Sequence, residues 1–339
     1  MKSFPSIRNA FTAVTAAALW FLAPVLMTGC SGRADWRLAE GAVWNTTYRI
    51  TYRADRDMRD SIMTVFRRVE NSLSPFNEKS LISRINRNET DSTDMLLRRV
   101  FAISADVCRE SGGRFDPTVS PLVNLWKFGY TGKVDPDSVW EPGQARIDSA
   151  LQYVGLQDCS ITPEGRIRKK SSGTTFNFSA VTKGYACDLM LEMLRRNGAQ
   201  DAMVEIGGEV AVGGKSPRGD SWRLQIDTPV FSADSIVHQA LEIIEVADCG
   251  VATSGNYRNY HQSSGGRVGH TIDPRSGRPV KSPFLSVTVI ASGCGEADAY
   301  ATALMATPSR AIAEDIISRG DGLRVMLVEA DTVLRYNWQ

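Results

Sequence analysis

A chain of 339 residues with 42% hydrophobic and 23% charged side chains has the balance of an ordinary globular protein, and it is long enough for a large buried core. Its 39 basic and 38 acidic side chains nearly cancel and leave a formal net charge of +1. No basic excess therefore indicates a nucleic-acid partner, and no acidic block indicates a solvated tail.

The first thirty residues have the pattern of a bacterial export signal. Lys2 and Arg8 precede an uncharged, mostly apolar run over residues 10–27, and small residues then lead to Cys30. A short apolar run behind a positively charged start is typical of a secretory signal rather than of a spanning helix. The residues before Cys30 resemble a lipobox, which predicts that Cys30 becomes the lipidated first residue of the mature protein.

These features divide the chain into three parts. We expect a lipoprotein signal peptide at 1–29, a lipidated linker at 30–41 and one folded domain at 42–339. A lipid on Cys30 would tether the protein to a membrane without embedding it. A simple cleaved signal, or an uncleaved N-terminal anchor, is the alternative interpretation. The other cysteines are odd in number and widely spaced, which indicates neither a disulfide framework nor a zinc site; they are Cys108, Cys159, Cys187, Cys249 and Cys294.

The folded part mixes strand and helix patterns. Alternating or continuous apolar runs predict strands at 43–52, 202–206, 222–226, 240–246, 285–291 and 323–328. Apolar residues at helical spacing predict helices at 58–73, 96–108, 183–196, 297–306 and 310–319, and residues 129–143 have the composition of a loop. Because strands and helices do not alternate strictly, the pattern indicates an α+β fold, a single unit with helices packed on mixed sheets.

Two stretches rich in glycine and polar residues follow predicted elements in the first half of the domain. Asp116 comes just after a double glycine, although an Asp before Pro is also a common turn. Ser179, Thr182 and Lys183 stand where a strand gives way to a helix, and the free N–H groups of a helix start favour an anion. Ser179 or Thr182 as an ordinary N-cap is the alternative. A bound anion explains Lys183 better, because a cation is mildly unfavourable in a first turn.

Two further stretches in the second half carry candidate catalytic residues. His270 stands beside an Asp-Pro turn, and a histidine can act as a general base near neutral pH. The segment 273–277 on its own predicts only a turn. Asp298 and Thr302 are four residues apart at a helix start and share one face, which suits half of a Mg²⁺ site. An Asp favoured by the helix dipole, with a threonine in the core, is the alternative.

Several well-known nucleotide and hydrolase motifs are missing from the sequence. There is no G-x-G-x-x-G after a strand, no P-loop, no H-E-x-x-H and no G-x-S-x-G. The glycine-rich segment 205–209 is explained equally well by a turn between strands and by phosphate binding.

In this order, the stretches resemble the ApbE family of FAD:protein FMN transferases. The resemblance runs from about residue 41 to the end of the chain. It rests on eight collinear segments, namely SPFNEKSLISRIN, GGRFDPTVSPLVNLWKFG, NFSAVTKGYACD, VEIGGEV, VATSGNYRNY, GHTIDPRSGRPV, LSVTVIA and EADAYATALM.

The resemblance implies an FAD site with Mg²⁺ bridging the pyrophosphate of FAD. The positions that match the family's FAD pocket are Trp44, Phe76, Arg114, Phe115, Asp116, Asn177, Lys183 and Ile272. Asp298 and Thr302 match side-chain ligands of the metal, and Ala180 matches a ligand that uses its backbone carbonyl. His270 is the residue expected to act as the base. Ala301 stands where some members have Asp, which leaves the number of metal ions open.

The reaction implied is Mg²⁺-dependent transfer of FMN from FAD to a threonine hydroxyl of a target flavoprotein, with release of AMP. A Mg²⁺-dependent FAD pyrophosphatase and a non-catalytic FAD-binding lipoprotein are the alternatives. The resemblance also implies acceptors with an FMN-binding domain, such as subunits of Rnf or Na⁺-pumping quinone reductase complexes. A membrane lipoprotein that faces the periplasm is the expected location.

Overall fold

Strands and helices are both abundant in the computed structural model, which describes residues 34–128, 140–229, 239–255, 260–263, 266–269 and 271–338. The strands are β1 (Asp35–Val43), β2 (Thr46–Ala54), β3 (Ser160–Ile161), β4 (Ile167–Arg168), β5 (Ala202–Ile206), β6 (Glu209–Gly213), β7 (Trp222–Asp227), β8 (Ala240–Val246), β9 (Cys249–Gly255), β10 (Tyr260–Ser263), β11 (Gly266–Gly269), β12 (Ile272–Asp273), β13 (Arg278–Pro279), β14 (Ser286–Ala291), β15 (Arg324–Val328) and β16 (Val333–Tyr336). The helices are α1 (Arg59–Leu73), α2 (Leu81–Asn86), α3 (Met95–Glu110), α4 (Ser120–Leu125), α5 (Gln144–Leu151), α6 (Ser179–Arg196), α7 (Cys294–Met305) and α8 (Arg310–Arg319).

An eight-stranded sheet forms the centre of the fold. Its strands lie in the order β1-β2-β5-β6-β9-β14-β15-β16, and each neighbouring pair is antiparallel. The other strands pair in short two-stranded sheets. Helices packed on a large sheet confirm the predicted α+β class, with the main sheet antiparallel rather than mixed.

Both faces of the central sheet are covered, and β14 shows the consequence. All six of its residues are buried. Val287 and Val289 point into the core formed with the helices, whereas Ile290 packs in a second core under the β7–β8 hairpin. A strand covered on both sides loses the alternation of polar and apolar residues, which is why its sequence reads as a continuous apolar run.

A third, smaller core lies among α4, α5 and the β12–β13 hairpin. It joins Leu122 and Trp126 to Ile147 and Ile272, and the indole N–H of Trp126 donates to the carbonyl of Gly277 at 2.8 Å. This core holds α4, α5 and the β12–β13 hairpin together.

The start of the domain differs from the prediction. The linker expected at 30–41 is wrong from Asp35 onward, because β1 pairs with β2 from Asp35↔Ala54 to Val43↔Thr46. The strand predicted at 43–52 is in fact the turn and second strand of this hairpin. Trp44 and Asn45 form the turn with φ of +50° and +59°, the backbone that tight hairpins need. Tryptophan is an unusual residue for that conformation, so the sequence carried little turn signal.

Two helices begin at earlier residues than predicted. α6 begins at Ser179 rather than at residue 183, and α7 begins at Cys294 rather than at 297. Of the loop predicted at 129–143, residues 129–139 lie outside the described part. Among the helices that the structure describes, none has the length and apolar character needed to cross a membrane.

Candidate active site

Helices α6 and α7 touch at Gly184, and this contact sets the geometry of the candidate site. A Cβ on Gly184 would lie 2.2 Å from the carbonyl oxygen of Cys294 and 2.9 Å from the Cβ of Asp298, so only glycine fits there. The backbone N–H of Gly184 donates to Asp298 Oδ2 at 3.2 Å. The close approach therefore places the Asp298 carboxylate against the first two turns of α6.

The three residues expected to hold a metal lie on these two helices. Asp298 is 5% exposed and shares a face of α7 with Thr302, one turn further on. The hydroxyl oxygens of Thr302 and of Ser254 in β9 are 3.4 Å apart. Ala180 lies in the first turn of α6. The structure thus places Ala180 on the helix that packs against α7 at Asp298.

This donor set fits Mg²⁺ better than it fits a transition metal. A carboxylate, a hydroxyl and a backbone carbonyl are hard oxygen donors, and Mg²⁺ takes few of them from a protein because substrate phosphates and water supply the rest. Within the described ranges there is no group of three or more His, Cys, Asp or Glu side chains placed to hold a metal. The types of donor at these three positions are therefore compatible with Mg²⁺.

Lys183 and Glu209 form an ion pair next to Asp298. The ammonium of Lys183 contacts Glu209 Oε1, and the two side chains are 35% and 6% exposed. Burial lowers the pKa of Lys183, but the nearby carboxylates of Glu209 and Asp298 outweigh it and raise that pKa. Burial raises the pKa of Glu209 to about 7, and it also raises the pKa of Asp298. Three charged groups therefore share one partly enclosed space.

The stretch from Arg114 to Asp116 is joined to α6 by hydrogen bonds. The carbonyl of Pro117 accepts from the N–H of Asn177 at 2.8 Å. Asn177 Oδ1 in turn accepts from the N–H of Ser179 at 2.9 Å and from its hydroxyl at 2.6 Å, which fixes the start of α6. Ser179 and Thr182 are therefore not N-caps: α6 begins after Phe178, and the side chain that accepts from the N–H of Ser179 is that of Asn177.

Asp116 is directed into the loop that it belongs to. Its Oδ1 accepts from the N–H and the hydroxyl of Thr118 at 2.7 and 2.6 Å, and its Oδ2 accepts from the N–H of Leu156 at 2.9 Å. Burial raises the pKa of Asp116, and these hydrogen bonds oppose the rise. The carboxylate therefore shapes the loop. Phe115, beside it, is buried in the helix-side core.

Arg114 connects this loop to the segment that follows His270. Its guanidinium lies 3.8 Å from Asp273, which also forms a two-pronged ion pair with Arg275 at 2.9 and 3.0 Å. Although burial favours a higher pKa for Asp273, the hydrogen bonds from Arg275 lower it. Ile272 is buried in the third core. His270 itself lies outside the described residues, as does Asn256.

Trp44 and Phe76 lie at two turns beside the helical layer. Trp44 packs edge-on against Phe66 of α1 with ring centroids 5.4 Å apart. Its hairpin adjoins the β5–β6 turn, because the N–H of Gly207 donates to the carbonyl of Thr47 at 2.9 Å. Phe76 is 69% exposed between α1 and α2. The described contacts link Trp44 to the turn that carries Glu209, and they leave Phe76 further out on the surface.

Two carboxylates of the site were missed from the sequence. Glu209 follows the glycine pair that the sequence explained as a turn, and the structure does place a turn there, with φ of +66° and +102° at Gly207 and Gly208. Asp188 accepts from the N–H groups of Cys294 and Gly295 at 2.8 and 2.9 Å and so caps α7. An acidic residue directly after a double glycine was the one available signal for Glu209.

Comparison with known proteins places this architecture in a family. A family model described as ApbE family matches residues 44–327. An FAD:protein FMN transferase from Vibrio cholerae serotype O1 is 33% identical over 291 residues, covering 83% of this chain and 84% of that protein. The protein of the same name from Escherichia coli K12 is 29% identical over 336 residues, covering 93% and 91%.

Solved structures give the same result. The flavin transferase ApbE of Vibrio cholerae superposes with a TM-score of 0.75 at 28% identity, covering 89% of this chain and 97% of that one. The apo form of Pseudomonas stutzeri flavinyl transferase ApbE gives 0.77 at 28% identity, with 90% and 95% covered. In class, then, the chain is a transferase enzyme. More narrowly, it belongs to the ApbE family, as its sequence pattern predicted.

Proposed function

We propose that this chain transfers FMN from FAD to a threonine hydroxyl of an acceptor flavoprotein in a Mg²⁺-dependent reaction. The new bond joins the threonine oxygen to the FMN phosphorus, the pyrophosphate bond to AMP breaks, and AMP leaves with the bridging oxygen. The observation that carries the proposal is the buried Asp298 carboxylate, which lies against the start of α6 beside Lys183 in a chain of this family.

Asp298, Thr302 and the carbonyl of Ala180 are the residues that would hold Mg²⁺. The ion would neutralise charge on the pyrophosphate and on the AMP that departs. Asp298 is suited to this role because Gly184 already fixes one of its oxygens. The Thr302 hydroxyl lies 3.4 Å from the hydroxyl of Ser254.

FAD would be held by the residues around the α6 start. Lys183 supplies a cation near the start of that helix, where the positive end of the helix dipole also favours phosphate. Arg114 adds a buried guanidinium. The remaining positions of the proposed pocket are Trp44, Phe76, Phe115, Asp116, Asn177 and Ile272. In this proposal Phe115, Asp116 and Ile272 act by shaping the pocket wall, since their side chains are buried in its framework.

His270 is the proposed base, and it would take the proton of the threonine hydroxyl as the oxygen attacks. The following residues, Ile272 and Asp273, are fixed by the third core and by Arg114 and Arg275.

The proposed acceptors are flavoproteins with an FMN-binding domain, including subunits of Rnf or Na⁺-pumping quinone reductase complexes. We further propose that Cys30 carries a lipid and tethers the enzyme to a bacterial membrane on its periplasmic side. The positively charged start and the small residues before Cys30 support this part.

Product analysis separates transfer from its two alternatives. The chain is incubated with FAD and Mg²⁺, with and without acceptor, and the nucleotides are resolved by chromatography. Transfer predicts AMP without free FMN, and only when acceptor is present. A pyrophosphatase gives equal FMN and AMP without acceptor, and a binding protein leaves FAD intact in both reactions.

A further inference from the structure

Glu209 has a buried oxygen that nothing yet explains. Its side chain is 6% exposed, and Oε1 contacts the Lys183 ammonium. Oε2 is fully buried and has no hydrogen-bond partner among the described residues. A buried carboxylate with unused acceptor positions is costly. Because this burial costs folding free energy at a candidate site, we look for a function of the Glu209 charge there.

The position of Glu209 is fixed from two sides. It is the first residue of β6, directly after the Gly207-Gly208 turn. Its backbone carbonyl accepts from the thiol of Cys187 at 3.3 Å, one turn beyond Lys183 on α6. The carboxylate is therefore held at the flank of α6, where Lys183 can reach it.

The Lys183 ammonium lies near two carboxylates, those of Glu209 and Asp298. The ammonium is attracted by Glu209 and by Asp298, and it contacts Glu209. Asp298 receives its hydrogen bond from Gly184 on Oδ2, and we find none on Oδ1 within the described part of the chain. If Lys183 turned to Asp298 instead, its positive charge would compete with a cation for that oxygen.

We propose that Glu209 is a positioning residue: it holds the Lys183 ammonium away from Asp298 and so keeps the Asp298 carboxylate open for a divalent cation. This inference rests on the metal site of the proposed function. It assigns Glu209 a role through Lys183, without making Glu209 a ligand of the metal.

Two variants give opposite expectations. In Glu209→Gln the amide keeps the size of the side chain but loses its charge, so Lys183 pairs with Asp298 and divalent-cation affinity falls roughly 10- to 100-fold. In the double variant E209Q/K183M the competing ammonium is gone, and affinity returns to at least the wild-type value. Glu192→Gln is the matched control, because it removes the charge from an exposed ion pair with Arg196 on the same helix; it should change nothing.

The experiment is calorimetric titration of the purified full-length chain with Mn²⁺ as probe, without FAD, and with thermal unfolding to confirm that each variant is folded. A double variant that stays as weak as E209Q would overturn the inference, since Glu209 would then be a ligand. Equal affinity of E209Q and wild type for Mn²⁺ would overturn it too. FMN transfer to an acceptor is assayed separately, so the proposed function stands or fails on a different readout.

Discussion

The Asp188 carboxylate at the α6–α7 contact is shifted toward its protonated form. Burial raises its pKa to about 6. Between the ordinary carboxyl pKa and this value, the folded chain therefore holds a proton that the unfolded chain has released. The free energy of unfolding of the metal-free protein loses this contribution as pH rises through that window.

The pH dependence of the free energy of unfolding can be measured for Asp188 alone. Its two backbone hydrogen bonds lower the pKa, but burial outweighs them. Relative to the variant Asp188→Asn, which cannot ionise, wild type should lose roughly 1–3 kcal/mol of unfolding free energy as pH rises from about 4 to about 6, and no more above that. Urea unfolding of both proteins across this range gives the difference. A difference independent of pH would show that Asp188 is ionised throughout.

His270 provides the second prediction for a single residue. Replacing it with Gln removes the proposed base, and the rate of FMN transfer should fall about 10²- to 10⁴-fold at neutral pH. Binding of FAD, measured by quenching of flavin fluorescence, should change far less. Transfer at the wild-type rate would assign the proton to another group, and an equal loss of FAD binding would make His270 a binding residue.

At the scale of structural elements, the contact between α6 and α7 leaves no room for a larger residue at Gly184. Gly184→Ala brings a methyl group into the carbonyl of Cys294, so the helices must separate near Asp298. We expect a loss of roughly 1–3 kcal/mol in unfolding free energy from overpacking, although alanine normally favours a helix. Cation binding should weaken as well, because Asp298 moves from Gly184.

The matched control is Gly143→Ala at the start of α5. A Cβ at Gly143 meets nothing within 4 Å, and its φ is −63°. Because Gly143 is the N-cap of α5, alanine should lower the unfolding free energy by less than about 1 kcal/mol, and cation binding should stay at the wild-type value. If G184A and G143A unfold at the same denaturant concentration, the close approach of α6 and α7 does not limit stability.

Elements whose formation depends on a local sequence pattern could be predicted, whereas others could not. Helices α1 and α3 follow from apolar residues at helical spacing, and β14 follows from a continuous apolar run. β1 was missed because its turn uses Trp44 at positive φ, which no turn rule anticipates.

The site was predictable only where its residues are close in sequence. Asp298 and Thr302 were paired by their spacing on one helix. Lys183 and Glu209 were not paired, because β5 and its glycine turn lie between them, and the ion pair exists only once β6 has packed beside α6. The role of Asp188 was missed for the same reason, since this residue of α6 caps α7, which begins more than 100 residues later in the chain.

At the scale of the whole molecule, the proposed attachment to a membrane through Cys30 can be tested independently of FMN transfer. If Cys30 carries the lipid, Cys30→Ser should move the protein from the membrane fraction to the soluble fraction without changing FMN transfer. Cys159→Ser replaces a half-buried cysteine of the folded domain and should stay in the membrane fraction. Fractionation followed by mass analysis of the N-terminus shows whether Cys30 carries the lipid. Retention of C30S in the membrane would indicate an uncleaved N-terminal anchor.

Transfer itself is tested most directly by the intact mass of an acceptor. The full-length chain is incubated with FAD, Mg²⁺ and an FMN-binding-domain protein that the Vibrio cholerae relative modifies in a parallel reaction. We predict that the acceptor gains the mass of one FMN phosphoester, and that chelation of Mg²⁺ or the change Asp298→Ala abolishes the gain. An acceptor of unchanged mass, under conditions in which the relative modifies it fully, would contradict the proposed transfer.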